Sequence, residues 1–167
     1  MTTASNIAAT TAAFDKVKSL MQDILRSSRT AREIKGIGEV YSYNEWPASI
    51  KALPTALIGV VNGNLTYQSS WAGPIQHSVG IWVYFPGVTL AEAMKQAVPI
   101  IERVKDKFAA NLQLAGNVDN FMPAPGIWYE GPGEIGYGGA EFIGLKFNYL
   151  MKMKQSTTAV AIAAGNS

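Results

Sequence analysis

HSVGIWVYFPGVTLAEAMKQAVPIIERVKDKF, residues 77–108, carries both periodicities from which the fold is built. In HSVGIWVYF successive side chains alternate faces, so Val79, Ile81, Val83 and Phe85 point one way and Gly80, Trp82 and Tyr84 the other. Pro86-Gly87 breaks that strand. Thr89 then opens a helix as a capping box: its hydroxyl accepts from the backbone N–H of Glu92, while the Glu92 carboxylate reaches back to the Thr89 N–H. Leu90, Met94, Ala97, Ile101, Val104 and Phe108 recur at helical spacing and predict one dry stripe. Glu92, Lys95, Gln96, Glu102, Arg103 and Asp106 fill the opposite face. Pro99 shares that wet face, where it removes a backbone donor and bends the helix around the core. A strand followed at once by a one-sided helix places the helix on a sheet.

On either side of this unit the pattern continues. Residues 1–10 are small and polar without periodicity and are expected to be a flexible segment. Phe14, Val17, Met21 and Ile24 share one face of a helix predicted from about Thr11 to Ser27. Arg26, Arg29, Arg32 and Lys35 follow, in keeping with favourable charge at a helix C-terminus and a solvated face. Gly36 and Gly38 let in a strand, EVYSY. A long excursion from Asn44 to Pro54 comes next, pinned by proline at both ends; its Trp46-Pro47 is either a plug over the core or an exposed contact. Thr55 to Val61 is an apolar strand, and Asn62-Gly63 matches a type I′ hairpin turn. Leu112 to Asp119 is a weaker strand candidate. Gly131-Pro132-Gly133 and Gly138-Gly139 mark a broad turn. From Glu141 to Met153 alternation is strict, with Ile143, Leu145, Phe147, Tyr149, Met151 and Met153 on one face. So long a strand is expected to project past its own domain. Residues 156–167 are small, uncharged and expected to be a flexible tail. The order predicts one α+β domain over 11–155, with two helices on one face of a largely antiparallel or mixed sheet.

The totals remove several classes of function. A chain of 167 residues buries roughly 70% of its unfolded surface and needs no disulfide or metal staple. It has no cysteine and a single histidine, which removes thiol chemistry and leaves little for imidazole metal sites. A formal charge of +2 is too balanced to suggest nucleic-acid binding. There is neither a signal-peptide pattern nor a run of about 20 apolar residues, so a soluble, cytoplasmically made protein without membrane contact is expected.

No residue constellation specifies chemistry. Gly131, Gly133 and Gly136 fit G-x-G-x-x-G, but a strand rather than a helix follows, and Pro132 removes a donor the phosphates would need. His77 stands without a nucleophile or a second imidazole. Glu130, Glu134 and Glu141 could act as paired carboxylates only if the fold gathers them, and Asp119 and Glu130 lack a calcium-loop pattern. Trp71, Trp82, Trp128 and Tyr129 lack the interleaved basic residues of a base-stacking surface. No enzyme, cofactor or metal site is expected.

Over residues 11–153 the chain resembles the tail terminator family of long-tailed bacteriophages, also called tail completion or head–tail joining proteins. The resemblance lies in the order of features: an N-terminal helix, IKGIGEVYSYNEWPASIKALPTALI, the NGN hairpin, SVGIWVYFPGVTLAEAMKQAVPIIERV, LQLAGNV and the closing YGGAEFIGLKFNYLMKM. The alanine-rich C-terminal tail departs from it. The resemblance implies a homo-oligomeric ring, commonly sixfold, at the head-proximal end of the tail in the virion. Its partners would be the tail tube protein and the head–tail connector, with DNA only passing through the lumen. Trp46, Pro47, Asn62, Gly63, Tyr149, Met151 and Met153 are the candidate subunit contacts, since pinned loops and long strands invite partners. A tube or baseplate subunit, or a small-molecule-binding or hydrolytic domain near His77 and Trp71, are the alternatives.

Overall fold

The computed structural model describes residues 2–27, 39–65, 75–86 and 89–154. The elements are α1 (Thr2–Ser27), β1 (Glu39–Tyr41), β2 (Thr55–Leu65), β3 (Ile75–Phe85), α2 (Leu90–Ala109), β4 (Val118–Pro123), β5 (Tyr129–Tyr137) and β6 (Ala140–Met153). The strands form one sheet in the order β1-β2-β3-β6-β4, with β5 also paired to β6. Among the described strands only the β1–β2 pair is parallel; the others are antiparallel. The fold is α+β on a mixed, curled sheet, as the element order predicts.

β6 is the axis of that sheet. β3 runs along one edge of it, from Phe85 opposite Ile143 to Gln76 opposite Lys152. The other edge is shared: β5 takes Ala140 to Phe147 and β4 takes Tyr149 to Met153. Three partners use the full length of the strand. It therefore does not project from its own domain, contrary to the expectation from length alone.

Between the sheet and the two helices lies the core. Phe14, Val17, Met21 and Ile24 of α1 are buried in it as their spacing predicts. From the sheet come Val79, Ile81, Val83 and Phe85 of β3, with Leu145, Phe147, Tyr149 and Met151 of β6. Phe121 and Tyr149 stack at 4.6 Å with 2° between their rings, and Phe108 of α2 closes on both at 5.2 Å. Burying aromatic side chains of this size supplies much of a domain's hydrophobic stabilisation.

α2 starts where Thr89 predicts, with extended backbone at Thr89 and its hydroxyl accepting from the Glu92 N–H. Its buried line differs from the expected stripe: Ala93, Ala97, Ile100, Val104 and Phe108 face the core. Ile101 is only partly buried, and Leu90 and Met94 are exposed. Small alanines at 93 and 97 let the helix sit close on the sheet, and this rotates the larger side chains onto a flank. α1 occupies the other flank, where Lys107 meets Asp23 at 3.6 Å.

Four boundaries also differ. Residues 2–10 continue α1 rather than preceding it. Residues 110–117 form a turn in place of a strand, with Leu114 and Ala115 in the left-handed region. Residues 131–137 belong to strand β5, with a register shift between Glu130 and Gly133 that takes Pro132 out of the ladder. Asn62 and Gly63 are ladder residues of β2, opposite Ser78 and His77, so they do not form the hairpin turn. A two-residue turn of positive φ does occur at Gly138 and Gly139, between the paired Tyr137 and Ala140. The segments holding Arg29, Arg32, Lys35, Trp71 and the C-terminal tail lie outside the described residues.

Candidate functional site

The face of the sheet turned away from the helices begins with bare backbone. Gly59 pairs with Gly80 in the β2–β3 ladder, leaving a shallow floor that indole rings fill. A Cβ built on Gly59 would stand 2.6 Å from the Trp46 ring, and one on Gly80 would stand 2.6 Å from the Trp82 ring. Trp46 arrives from the proline-pinned loop and is fixed there by its Nε1–H, which donates to the carbonyl of Ile58 at 2.8 Å. It meets Trp82 edge to face at 5.5 Å. Tyr137, Tyr84 and Phe142 extend the cluster.

Two further ties hold the loop. The Tyr137 hydroxyl donates to the Pro47 carbonyl, and Gly138 lies so close to Ala48 that a Cβ there would be 2.6 Å from its carbonyl oxygen. The tip of the β5–β6 hairpin is thereby docked on the loop. On the opposite side Glu45 pairs with Lys18 of α1 at 2.6 Å and accepts from the Ser42 N–H at 3.1 Å. The Lys18 ammonium, then that backbone donor, hold the Glu45 carboxyl below its ordinary pKa. The Trp46 side chain is thus anchored on the sheet as a plug and still 42% exposed.

Beside the cluster the β5 bulge opens a groove of about 320 Å³, lined by Trp82, Glu130, Glu134, Ile135, Lys146 and the glycines 131, 133 and 144. Lys146 Nζ lies over the Trp82 ring at 5.3 Å and 4.0 Å from the Glu130 carboxylate. Glu130 also accepts from Asn148 Nδ2 at 3.2 Å. The fold therefore gathers two of the three carboxylates with an indole and an ammonium, without a hydroxyl or imidazole among the lining residues. Such a groove can hold a small polar ligand against a ring. Gly131, Gly133 and Gly136 belong to a strand that turns back into another strand, which excludes the dinucleotide reading of their spacing.

His77 sits on β3 between Gly63 of β2 and Met151 of β6, and partial burial pushes its imidazole pKa down. Among the described residues no group of three His, Asp or Glu side chains could hold a metal ion, and no helix is long and apolar enough to cross a membrane.

The candidate contact residues separate into three groups. Trp46 and Pro47 lie at the surface in the docked loop. Asn62 and Gly63 lie in the part of β2 beyond its pairing with β1. Tyr149, Met151 and Met153 are 1%, 0% and 8% exposed, so their side chains belong to this chain's own core and present nothing to a second subunit. Strict alternation places them on the helix-covered face, so they are not available as subunit contacts. Exposed apolar side chains are found elsewhere, at Leu90, Met94 and Val98 on α2 and at Val60, Val61 and Ile75 on β2 and β3. On α2 the signal was present as a second apolar line beside the first. No protein-family profile and no curated protein sequence matches this chain.

Proposed function

We propose that this chain is a structural subunit of a long-tailed bacteriophage virion, a tail terminator. In this reading copies assemble as a ring, commonly sixfold, on the head-proximal end of the tail tube, stop its growth and join it to the head connector. DNA passes through the lumen without specific contact. One observation carries the reading. Supporting it is the element order: helix, short strand, docked Trp-Pro loop, paired strands, capped helix and a central closing strand follow as in the resemblance, while the NGN and LQLAGNV segments do not form the elements expected of them. Exposed apolar side chains on α2 and on the β2–β3 pair supply surface for subunit contact. Cryo-electron microscopy of the intact particle tests it. Density for this chain at the junction of tube and neck is the expected result; a position elsewhere, or monomers decorating the outside, would end it.

The groove beside Trp82 and Lys146 favours a second reading, a small-molecule-binding domain. A protein that stays monomeric and whose melting temperature rises with a small polar ligand would favour that reading over the ring.

A further inference from the structure

We infer that the groove at the β5 bulge binds a neutral, hydroxyl-rich ring, a single pyranose sugar. The inference rests on the small-molecule reading above and names its ligand class. Register sets the layout. Trp82, Lys146 and Glu130 form one cross-strand row on the face turned from the helices. Tyr84, Gly144 and Gly133 form the next row. Two adjacent positions on β6 and β5 therefore carry no side chain, and Ile135 lines the groove beyond them. A backbone floor is left between an indole with an ion pair on one side and an apolar wall on the other.

The glycines of this floor are not equivalent. A Cβ on Gly144 would run into the Val83 carbonyl oxygen, and one on Gly131 would stand 2.7 Å from the carbonyl oxygen of Gly144, so strand packing demands both. Gly133 is different. A Cβ there meets nothing within 4 Å, and its φ is not left-handed. Glycine weakens a strand, and one that the fold does not require marks a place where another molecule comes close. The space it leaves open belongs to a groove of about 320 Å³, at the small end of ligand pockets and suited to one ring.

The wall selects the chemistry. Lys146 Nζ and the Glu130 carboxylate are 4.0 Å apart, too far for a hydrogen bond. One hydroxyl oxygen about 2.8 Å from both closes that gap, accepting from the ammonium and donating to the carboxylate. A carboxylate ligand only accepts and would be repelled by Glu130; an ammonium ligand only donates and would be repelled by Lys146. Glu134 pairs with Ile143 of the helix-facing set, so the polar pair at this wall is Lys146 and Glu130. Trp82 and Ile135 add apolar surface for the C–H face that a saccharide ring presents between its hydroxyls.

The test titrates isotope-labelled protein with methyl glucoside, methyl galactoside and N-acetylglucosamine, and separately with acetate and tetramethylammonium as charged probes. The readout is the tryptophan indole N–H signals in NMR spectra, with Trp82→Phe identifying the one that belongs to Trp82. A saturable shift of that signal with at least one sugar, and with neither charged probe, is expected. Gly133→Val fills the groove and is expected to fold as the parent does and abolish the shift. Lys146→Met should weaken sugar binding roughly tenfold or more, as loss of a hydrogen bond to a charged group does; it decides alone should Gly133→Val fail to fold. An undiminished shift in either variant places the sugar outside this groove and overturns the inference. A shift with a charged probe that equals or exceeds any sugar's overturns the ligand class and leaves the small-molecule reading standing. Silence from every probe, in protein whose melting temperature none of them raises, overturns both.

Discussion

Tyr149 of β6 lies in the aromatic part of the core, 1% exposed. Its ring is clamped between Phe108 and Phe121, while its hydroxyl is buried without a hydrogen-bond partner. Burial pushes its pKa from 10.0 to about 12, and the nearby Trp128 indole offsets only part of that rise without reaching hydrogen-bond geometry. A raised acid holds its proton longer in the folded state, so its contribution is complete below pH 10 and lost as pH climbs through the folded value. Two pH units correspond to about 2–3 kcal/mol. Urea titrations between pH 10 and 12 should show the parent losing about that much more than Tyr149→Phe. At neutral pH Tyr149→Phe should be no less stable, because it removes a buried hydroxyl that bonds to nothing. Equal alkaline losses in the two proteins would place the hydroxyl in contact with water. A second test at single positions concerns turn chemistry. Gly139 has φ +80° with no heavy atom within 4 Å of a built Cβ, so Gly139→Val is opposed by backbone strain alone, on the order of 1–3 kcal/mol. Gly63→Val, in a ladder opposite His77, puts a β-branched residue where strand backbone favours it and should cost less than Gly139→Val. Thermal melts of the two variants decide it. The sequence signal for a type I′ turn was sound in kind and misplaced: Asn62-Gly63 and Gly138-Gly139 both carry it, and only long-range pairing with Ser78 and His77 shows which one turns.

Among the elements, α2 separates what periodicity determines from what packing determines. Its start, its capping Thr89 and its exposed Pro99 follow from local chemistry and are found as expected. Which of two adjacent apolar lines faces the sheet does not. Ala97, Val104 and Phe108 belong to both lines; Ile100 and Ile101 discriminate, and the fold buries the first while leaving the second half-buried. Ile100→Asp should therefore cost at least ~3 kcal/mol, the loss expected for a truncated core side chain and an unpaired buried charge together. Ile101→Asp, which can turn its carboxylate to water, should cost clearly less. In melting temperature the first variant should fall by roughly 6 °C or more for a chain of this size. If Ile101→Asp melts lower than Ile100→Asp, the helix is rotated from the position described. β5 was illegible for a different reason. Gly131, Pro132 and Gly133 resemble a coil because each is a poor strand former; β6, which is strongly patterned, holds the segment through Glu130 on one side of the bulge and Gly133 on the other.

For the molecule as a whole, the layout of helices on one face of a sheet was legible, because it depends on alternation and helical spacing within each element. The aromatic cluster on the other face was not, since Trp46, Trp82 and Tyr137 come from three separate parts of the chain and meet only through the curl of the sheet. The same holds for surfaces that a partner would cover. Charge is sparse and nearly balanced at +2, and the described ion pairs are all at least partly exposed, so each contributes little. Large apolar side chains are nevertheless exposed on α2, β2 and β3. If copies associate through them, association is driven by removal of apolar surface from water, which salt does not weaken. Raising ionic strength from 0.1 M to 1 M shortens the screening length from ~10 Å to ~3 Å and would loosen a contact built on charge. Sedimentation velocity across that range should show the oligomer retained, or favoured, at the higher salt. Dissociation on adding salt would move the contact away from Val98 and Val61 and onto the charged surfaces around Arg103 and Lys107, where α1 and α2 meet.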